Sequence, residues 1–440
     1  MTKILIRGRL LSFRRVPLSL TDTQSYYYEH DGAILIDNGT IAMIGDYAAI
    51  KGKAPKDATE IDHRPHLVLP GLIDTHLHFP QMQVIASYAG SLLEWLNTYT
   101  FHEECRFVES DHSARIAGHF YDELLRHGTT TAAAYCSVHK ASADAYFTEA
   151  MRRGMCMIGG KVMMDRNAPQ GLLDTPQMSY DETRAVIADW HGKGRNHVAI
   201  TPRFAITSTP DQMKAAQTLA QEFPDLHIQT HLSENHDEIR YTCELYPQAK
   251  DYTDIYARYG LLGRKTLLGH AIHLSDRETD VLSETGSVAV HCPTSNLFLG
   301  SGLFPLKAMT RRSDPVRVAV ATDIGGGSSY SMLRTLDEAY KIQQLLGERM
   351  NPLETFFLAT RGNAEALSLA DHIGTLDVGT DADLVVLDAA ATPAMALRME
   401  TVATLSEELF LLQTMGDDRS VAETYIAGKA MKSGLSSGSI

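Results

Sequence analysis

The sequence has no CxxC and no paired cysteine spacing; its five cysteines, Cys105, Cys136, Cys156, Cys243 and Cys292, are scattered. An odd, scattered set reads as reduced thiols, which argues against a disulfide scaffold and points to the cytoplasm. Also missing is any run approaching the roughly 20 apolar residues needed to cross a bilayer. The opening stretch, MTKILIRGRLLSFRRVPLSL, is broken by Arg7, Arg9, Arg14 and Arg15 and makes a poor signal peptide. Positive charge is in short supply too: 40 Lys and Arg against 54 Asp and Glu give a formal net charge of -14. That balance argues against general binding to nucleic acid or membrane surfaces, both polyanionic, and leaves a neutral small molecule open. No GxGxxG follows the first strand-like run of the central region, so a doubly wound dinucleotide fold is not indicated.

What is present is ordinary globular composition, 44% hydrophobic and 21% charged over 440 residues. That length accommodates a large barrel with an appended module. The two ends share a texture. KILIRGRLLSF and GAILIDNGTIAMIGD near the start are short β-rich runs with turn residues such as Asp37, Asn38 and Gly39, and GTLDVGTDADLVVLDAA and AETYIAGKAMKSG near the end match them. Neither end holds enough strands to be stable alone. Residues 1–68 and 375–440 are therefore expected to pack as one composite β-sandwich domain, with GLSSGSI as a frayed tail.

Between the ends, apolar β-rich runs alternate with helical patterns. The runs are LVLPGLIDTHLH, GTTTAAAY, GMCMIGGKVMM, HVAITPRF, LHIQTHLSE, KTLLGHA, GSVAVHCP and VRVAVATD. Segments such as SYDETRAVIADWHGKG and TPDQMKAAQTLAQEF intervene, each opened by a Ser, Thr or Asp cap. Eight nearly all-apolar strands alternating with helices predict an α/β fold, a (β/α)8 TIM barrel over 69–374.

In such a barrel the C-terminal strand ends surround one mouth. His76 and His78 close the first run, and residues two apart on a strand point the same way. Alone, His-x-His fits two polar residues at a strand end equally well. His231 near the end of the fifth run, His270 near that of the sixth and Asp323 at that of the eighth add nitrogen and oxygen donors from other strands. Three imidazoles and a carboxylate can cage Zn²⁺ and leave a position for water, whose pKa then falls to about 7. Fe²⁺ or Mn²⁺ also suit such a cage. Asp323 could ligate, accept the water's proton, or both. His270 reads either as a ligand or as a donor that steadies hydroxide and a developing oxyanion. Glu234, just past His231, is a proton carrier beside the metal or a solvated loop carboxylate. Arg203 and Phe204 end the fourth run, where a guanidinium fork and an aromatic face suit a planar ring; a surface ion pair and a core ring are the bland alternative. Gln81 offers donor and acceptor together, as any loop glutamine would.

At PGLIDTHLHFPQ the sequence resembles the amidohydrolase superfamily and, within it, the enzymes that deaminate guanine. The resemblance continues in order through LLEWLNTYTFHEECRF, GTTTAAAY, GKVMMD, TPRF, HLSEN, YPQAKDYTDIY, HCPTSN, TDIGGGSSYSML and GDDRSVAETYIAGK, and so spans nearly the whole chain. It implies a zinc-dependent aminohydrolase, one Zn²⁺ per subunit held by His76, His78, His231 and Asp323, in a homodimer. It further implies Glu234, His270 and Asp323 as catalytic groups, and Gln81, Arg203, Phe204, His231 and Glu234 around guanine, with Arg203 at the ring carbonyl. The implied reaction is attack of activated water at C2, giving xanthine and ammonia. Other planar substrates of the same superfamily, 8-oxoguanine, pterin or a triazine such as ammeline, form the nearest alternative. A binuclear cyclic-amide hydrolase would carry a lysine at the fourth strand end, where HVAITPRF has none. The paired HxE and PCxxC motifs of cytidine-type zinc deaminases are absent.

Overall fold

A computed structural model of the chain describes residues 3–88 and 92–435; of the expected tail GLSSGSI, residues 436–440 lie outside the described residues. Four strands come first: β1 (Lys3–Phe13), β2 (Tyr26–Asp37), β3 (Thr40–Asp46) and β4 (Thr59–Pro70). The middle holds β5 (Leu72–His78), β6 (Thr129–Tyr135), β7 (Cys156–Gly160), β8 (Val162–Met163), β9 (Asn196–Pro202), β10 (His227–Leu232), β11 (Thr266–His270), β12 (Val288–His291) and β13 (Arg317–Val320). The chain closes with β14 (Leu384–Leu387), β15 (Val421–Ile426) and β16 (Lys429–Ala430).

The two ends do build one unit, a seven-stranded sheet in the order β16-β15-β14-β4-β1-β2-β3. Only β1 and β4 run parallel within it. Instead of two separate layers, this single sheet curls until its ends meet. The β2–β3 turn, with Asn38 and Gly39 at φ 52° and 88°, packs against Ala427 in the β15–β16 turn. Positive φ at both turn residues is what a tight two-residue hairpin demands, and Asn-Gly supplies it. The curl encloses Ile6, Leu10, Ile36, Val68, Leu384 and Tyr425 in one apolar cluster, so the closed sheet does the work of the expected sandwich.

The nine middle strands form the barrel, all neighbours parallel, with β8 continuing β7 past Lys161 to give eight staves. Every residue of β5 and of β6 is buried, as expected for strands covered on both faces. One expected run is divided. LVLPGLIDTHLH breaks at Gly71, where a Cβ would collide with the Thr130 side chain. Leu67–Pro70 therefore pairs with β14 in the outer sheet, and the barrel starts at Leu72. The helix expected from Ser179 starts earlier, at Pro176, because Thr175 caps it by accepting from Met178 N and proline suits the first turn. The helix at Pro210–Glu222 is capped by Thr209 as its sequence suggests. No helix among the described residues is long and apolar enough to cross a membrane.

Among the described residues no strand ladder joins β13 to β5, and side chains close that seam. Asn363 Nδ2 donates to Ile73 O (2.7 Å) and Val320 O (2.8 Å), while its Oδ1 accepts from Val320 N (2.9 Å). Asp74 accepts from Thr322 N (3.1 Å) and from the Thr322 hydroxyl, and Asp323 N donates to His76 O (2.9 Å). The closure thus sets Asp323 beside His76. Replacing Asn363 with leucine keeps the volume and strands three buried backbone groups, each costing about 1–3 kcal/mol. We expect Asn363→Leu to lower stability by about 3 kcal/mol, read as a drop in the denaturant midpoint; an unchanged midpoint would show that the seam is held elsewhere.

Candidate active site

Six of the expected residues meet at the barrel mouth. His76 and His78 share one face of β5, ring centroids 5.3 Å apart, and the His231 ring from β10 lies 4.8 Å and 5.1 Å from them. Nε2 of His78 is 3.2 Å from Nε2 of His231, and Asp323 Oδ1 is 3.4 Å from Nε2 of both His76 and His78. Ligands set tetrahedrally at about 2.0–2.1 Å from one ion stand about 3.3–3.4 Å apart, and these three contacts are close to that spacing. Both ring nitrogens of His76 are buried without a hydrogen-bond partner, a costly arrangement that a metal ion relieves. His231 Nδ1–H donates to Arg203 O (2.7 Å), which leaves its Nε2 lone pair facing the cluster.

His270 completes the ring of donors from a different side. Its Nδ1–H donates to Asn296 Oδ1 (2.8 Å), and its Nε2 faces Glu234 Oε2 at 3.4 Å and Asp323 Oδ2 at 3.6 Å. Glu234 Oε1 accepts from Ser301 Oγ (2.7 Å). His270 and Asp323 adopt left-handed φ values of 68° and 52°. Such strain costs on the order of 1–3 kcal/mol per residue and concentrates at functional sites.

Burial and charge sort the protonation states. Burial holds the imidazoles of His78 and His231 well below their usual range, so both stay neutral with lone pairs free to bind a metal. Burial alone would raise Asp323, but the adjacent His76 and His270 imidazoles hold it at about 2. Glu234 goes the other way: burial pushes its carboxyl up, and the Asp323 charge adds to this. For His270 burial acts downward, and the Glu234 and Asp323 carboxylates outweigh it and raise the imidazole. One carboxyl is thus firmly ionised and its neighbour a ready proton carrier.

These groups open into a narrow cavity at the barrel mouth. It is lined by eight of the nine expected residues, His78, Gln81, Arg203, Phe204, His231, Glu234, His270 and Asp323; His76 lies fully buried behind them. The segment 92–107 folds into short helical turns that carry Leu92, Trp95 and Leu96 into the wall. Leu299 and Gly326 complete the lining.

Some participants gave no signal in the sequence. Glu104, 1% exposed, accepts hydrogen bonds from both Arg203 and Gln81, yet it sits in FHEEC beside an equally buried Glu103 and nothing local distinguishes it. Asn296 and Ser301 act only through His270 and Glu234, partners distant in sequence. Cys292 lies with His76, His270 and Asp323 within 4.8 Å, but burial pushes its thiol well up, which keeps it protonated, and it packs in the apolar core. His291 before it ends β12 and stacks on Phe304.

A barrel whose mouth gathers buried imidazoles and carboxylates around a cavity marks a hydrolase of the metal-dependent kind. Residues 67–431 match the Amidohydrolase family, and the chain belongs to that family and is a hydrolase acting on C–N bonds. The guanine deaminase of Escherichia coli (strain K12) is 46% identical over 399 residues, covering 91% of this chain and 90% of that protein. A solved E. coli guanine deaminase superposes with a TM-score of 0.95 at 43% identity, covering 97% of this chain and 99% of that one. A guanine deaminase from C. acetobutylicum with guanine bound in its active site superposes with a TM-score of 0.85 at 27% identity over 98% of this chain and 100% of that one.

Proposed function

We propose that this chain is a guanine deaminase, hydrolysing guanine to xanthine and ammonia. The observation that carries the reading is the meeting, at one cavity, of the close-set His76, His78, His231 and Asp323 with Gln81, Arg203 and Phe204. The names of the relatives support it, as does the guanine bound in the C. acetobutylicum enzyme.

In this reading His76, His78, His231 and Asp323 would hold one Zn²⁺ per subunit, with Fe²⁺ or Mn²⁺ able to take the same cage. Bound there, the ion supplies a water that ionises near neutral pH and a Lewis acid for developing negative charge. Arg203 donates to the ring carbonyl, Gln81 reads the adjoining edge, and Phe204 walls the planar ring. Asp323, fully ionised, accepts the proton of the attacking water. Glu234 passes a proton to the ring nitrogen next to C2, which makes that carbon more electrophilic. His270, fixed by Asn296, orients the water and steadies the oxygen as C2 becomes tetrahedral. Proton delivery to the amino group then releases ammonia. Beyond the site, our reading keeps a composite domain from both ends and a central barrel, with the first boundary moved from 68/69 to Gly71, and a cytoplasmic homodimer.

The test is ammonia release by metal-replete enzyme on guanine, 8-oxoguanine, ammeline and pterin, with a chelator-stripped sample beside it. Guanine should show the highest kcat/KM with xanthine as product. Stripping should abolish turnover, and added Zn²⁺ should restore it. Faster turnover of pterin or ammeline than of guanine would move the assignment to that substrate.

A further inference from the structure

We propose that Glu104 is a positioning residue that fixes both base-reading side chains, and through them the preference for a ring bearing a carbonyl. The inference rests on the guanine reading above and deepens it. Glu104 belongs to the short helix Phe101–Cys105, is almost fully buried, and is not among the residues that line the cavity. It stands directly behind two that do. Its Oε1 accepts from Gln81 Nε2 (2.8 Å) and from Arg203 Nη1 (2.9 Å), and its Oε2 accepts from the same Arg203 nitrogen (2.7 Å).

An ionised carboxylate only accepts, and this decides the orientation of Gln81. The amide nitrogen must face Glu104, so the amide oxygen turns the other way and accepts from Gly325 N (3.2 Å). Gln81 is left with one N–H and one lone pair in fixed directions. Arg203 commits only Nη1 to Glu104, and its guanidinium carbon lies 5.5 Å from the Phe101 ring centroid, above the ring. The other guanidinium N–H groups make no further protein hydrogen bond among the described residues, so they are available to an acceptor in the cavity. Without its carboxylate partner the long arginine side chain is a buried, unpaired cation free to rotate, and ordering it would fall on the binding step. The anchor and the wall also travel together, because Trp95 and Leu96 of the same segment border the cavity.

Glutamine at 104 keeps the shape but places an N–H donor against either Gln81 or Arg203, themselves donors. In Glu104→Gln we expect the KM for guanine to rise about 10- to 100-fold, the loss of one charged hydrogen bond, with the smaller effect on kcat. The comparison ligand is 2-aminopurine, which has the same amino group and lacks the ring carbonyl. Its inhibition constant should change less than about threefold, because it never used the contact that is lost. Metal content should match the native enzyme. Should Glu104→Gln fail to fold, Glu104→Asp keeps the charge, is too short to reach both partners, and should show the same split between ligands. Equal weakening of guanine and 2-aminopurine would reduce Glu104 to a structural part, and an unchanged guanine KM would remove its role altogether. Failure of the native enzyme to turn over guanine would instead overturn the substrate reading.

Discussion

Glu234→Gln should retain its metal and lose about 10²–10⁴ of its turnover, the range by which a positioned proton carrier accelerates a reaction. The substitution changes little except the proton. Glutamine fills the same buried space and can still accept from Ser301 Oγ, which lies 2.7 Å from Glu234 Oε1. What it cannot do is take up and release a proton between the attacking water and the ring. Glu234 is suited to that work because burial pushes its carboxyl up, while His270, 3.4 Å away, supplies a counter-group for the ionised form. It stands outside the four-ligand cage, so metal analysis of the purified variant should match the native protein. The KM for guanine should move much less than kcat, the pattern of an interaction made in the transition state. Turnover within tenfold of native, with full metal occupancy, would remove Glu234 as the proton carrier and leave His270 and Asp323 to share that role.

How much of this was legible beforehand depended on whether a residue's partner was near in sequence. The eight staves were readable because both faces of a barrel strand are covered, which leaves continuous apolar runs such as TTTAAAY. The site residues were readable for a related reason: barrel topology carries strand ends to one place, so His78, His231 and Asp323 could be assembled without knowing any distance. The division of LVLPGLIDTHLH at Gly71 was not readable, because it depends on the Thr130 side chain of a neighbouring strand. Nor was the curl of the terminal sheet, which needs Gly39 to find Ala427 almost four hundred residues away. Asn363 and Glu104 were invisible for the same cause. Each satisfies buried polar groups whose sequence positions are remote, and a lone Asn or Glu in a helical segment carries no trace of such partners.

Asp323→Asn should be the most damaging single-atom change in the molecule, because one carboxylate there serves two ends. It faces Nε2 of His76 and His78 at 3.4 Å through one oxygen and Nε2 of His270 at 3.6 Å through the other. The amide keeps one oxygen but removes the negative charge and presents N–H to one of these imidazoles. Loss of the charge weakens the cage, and loss of the base removes the acceptor for the water's proton, so turnover should fall by about 10⁴-fold or more. The two losses separate by experiment. Zinc titration should show weakened affinity, and saturating Zn²⁺ should restore occupancy. Restored occupancy should not restore kcat, since an amide at this position still cannot take a proton. Recovery of kcat to within tenfold of native at saturating Zn²⁺ would make Asp323 a ligand alone. The proton would then have to leave through Glu234, and Glu234→Gln would carry the whole acid–base loss.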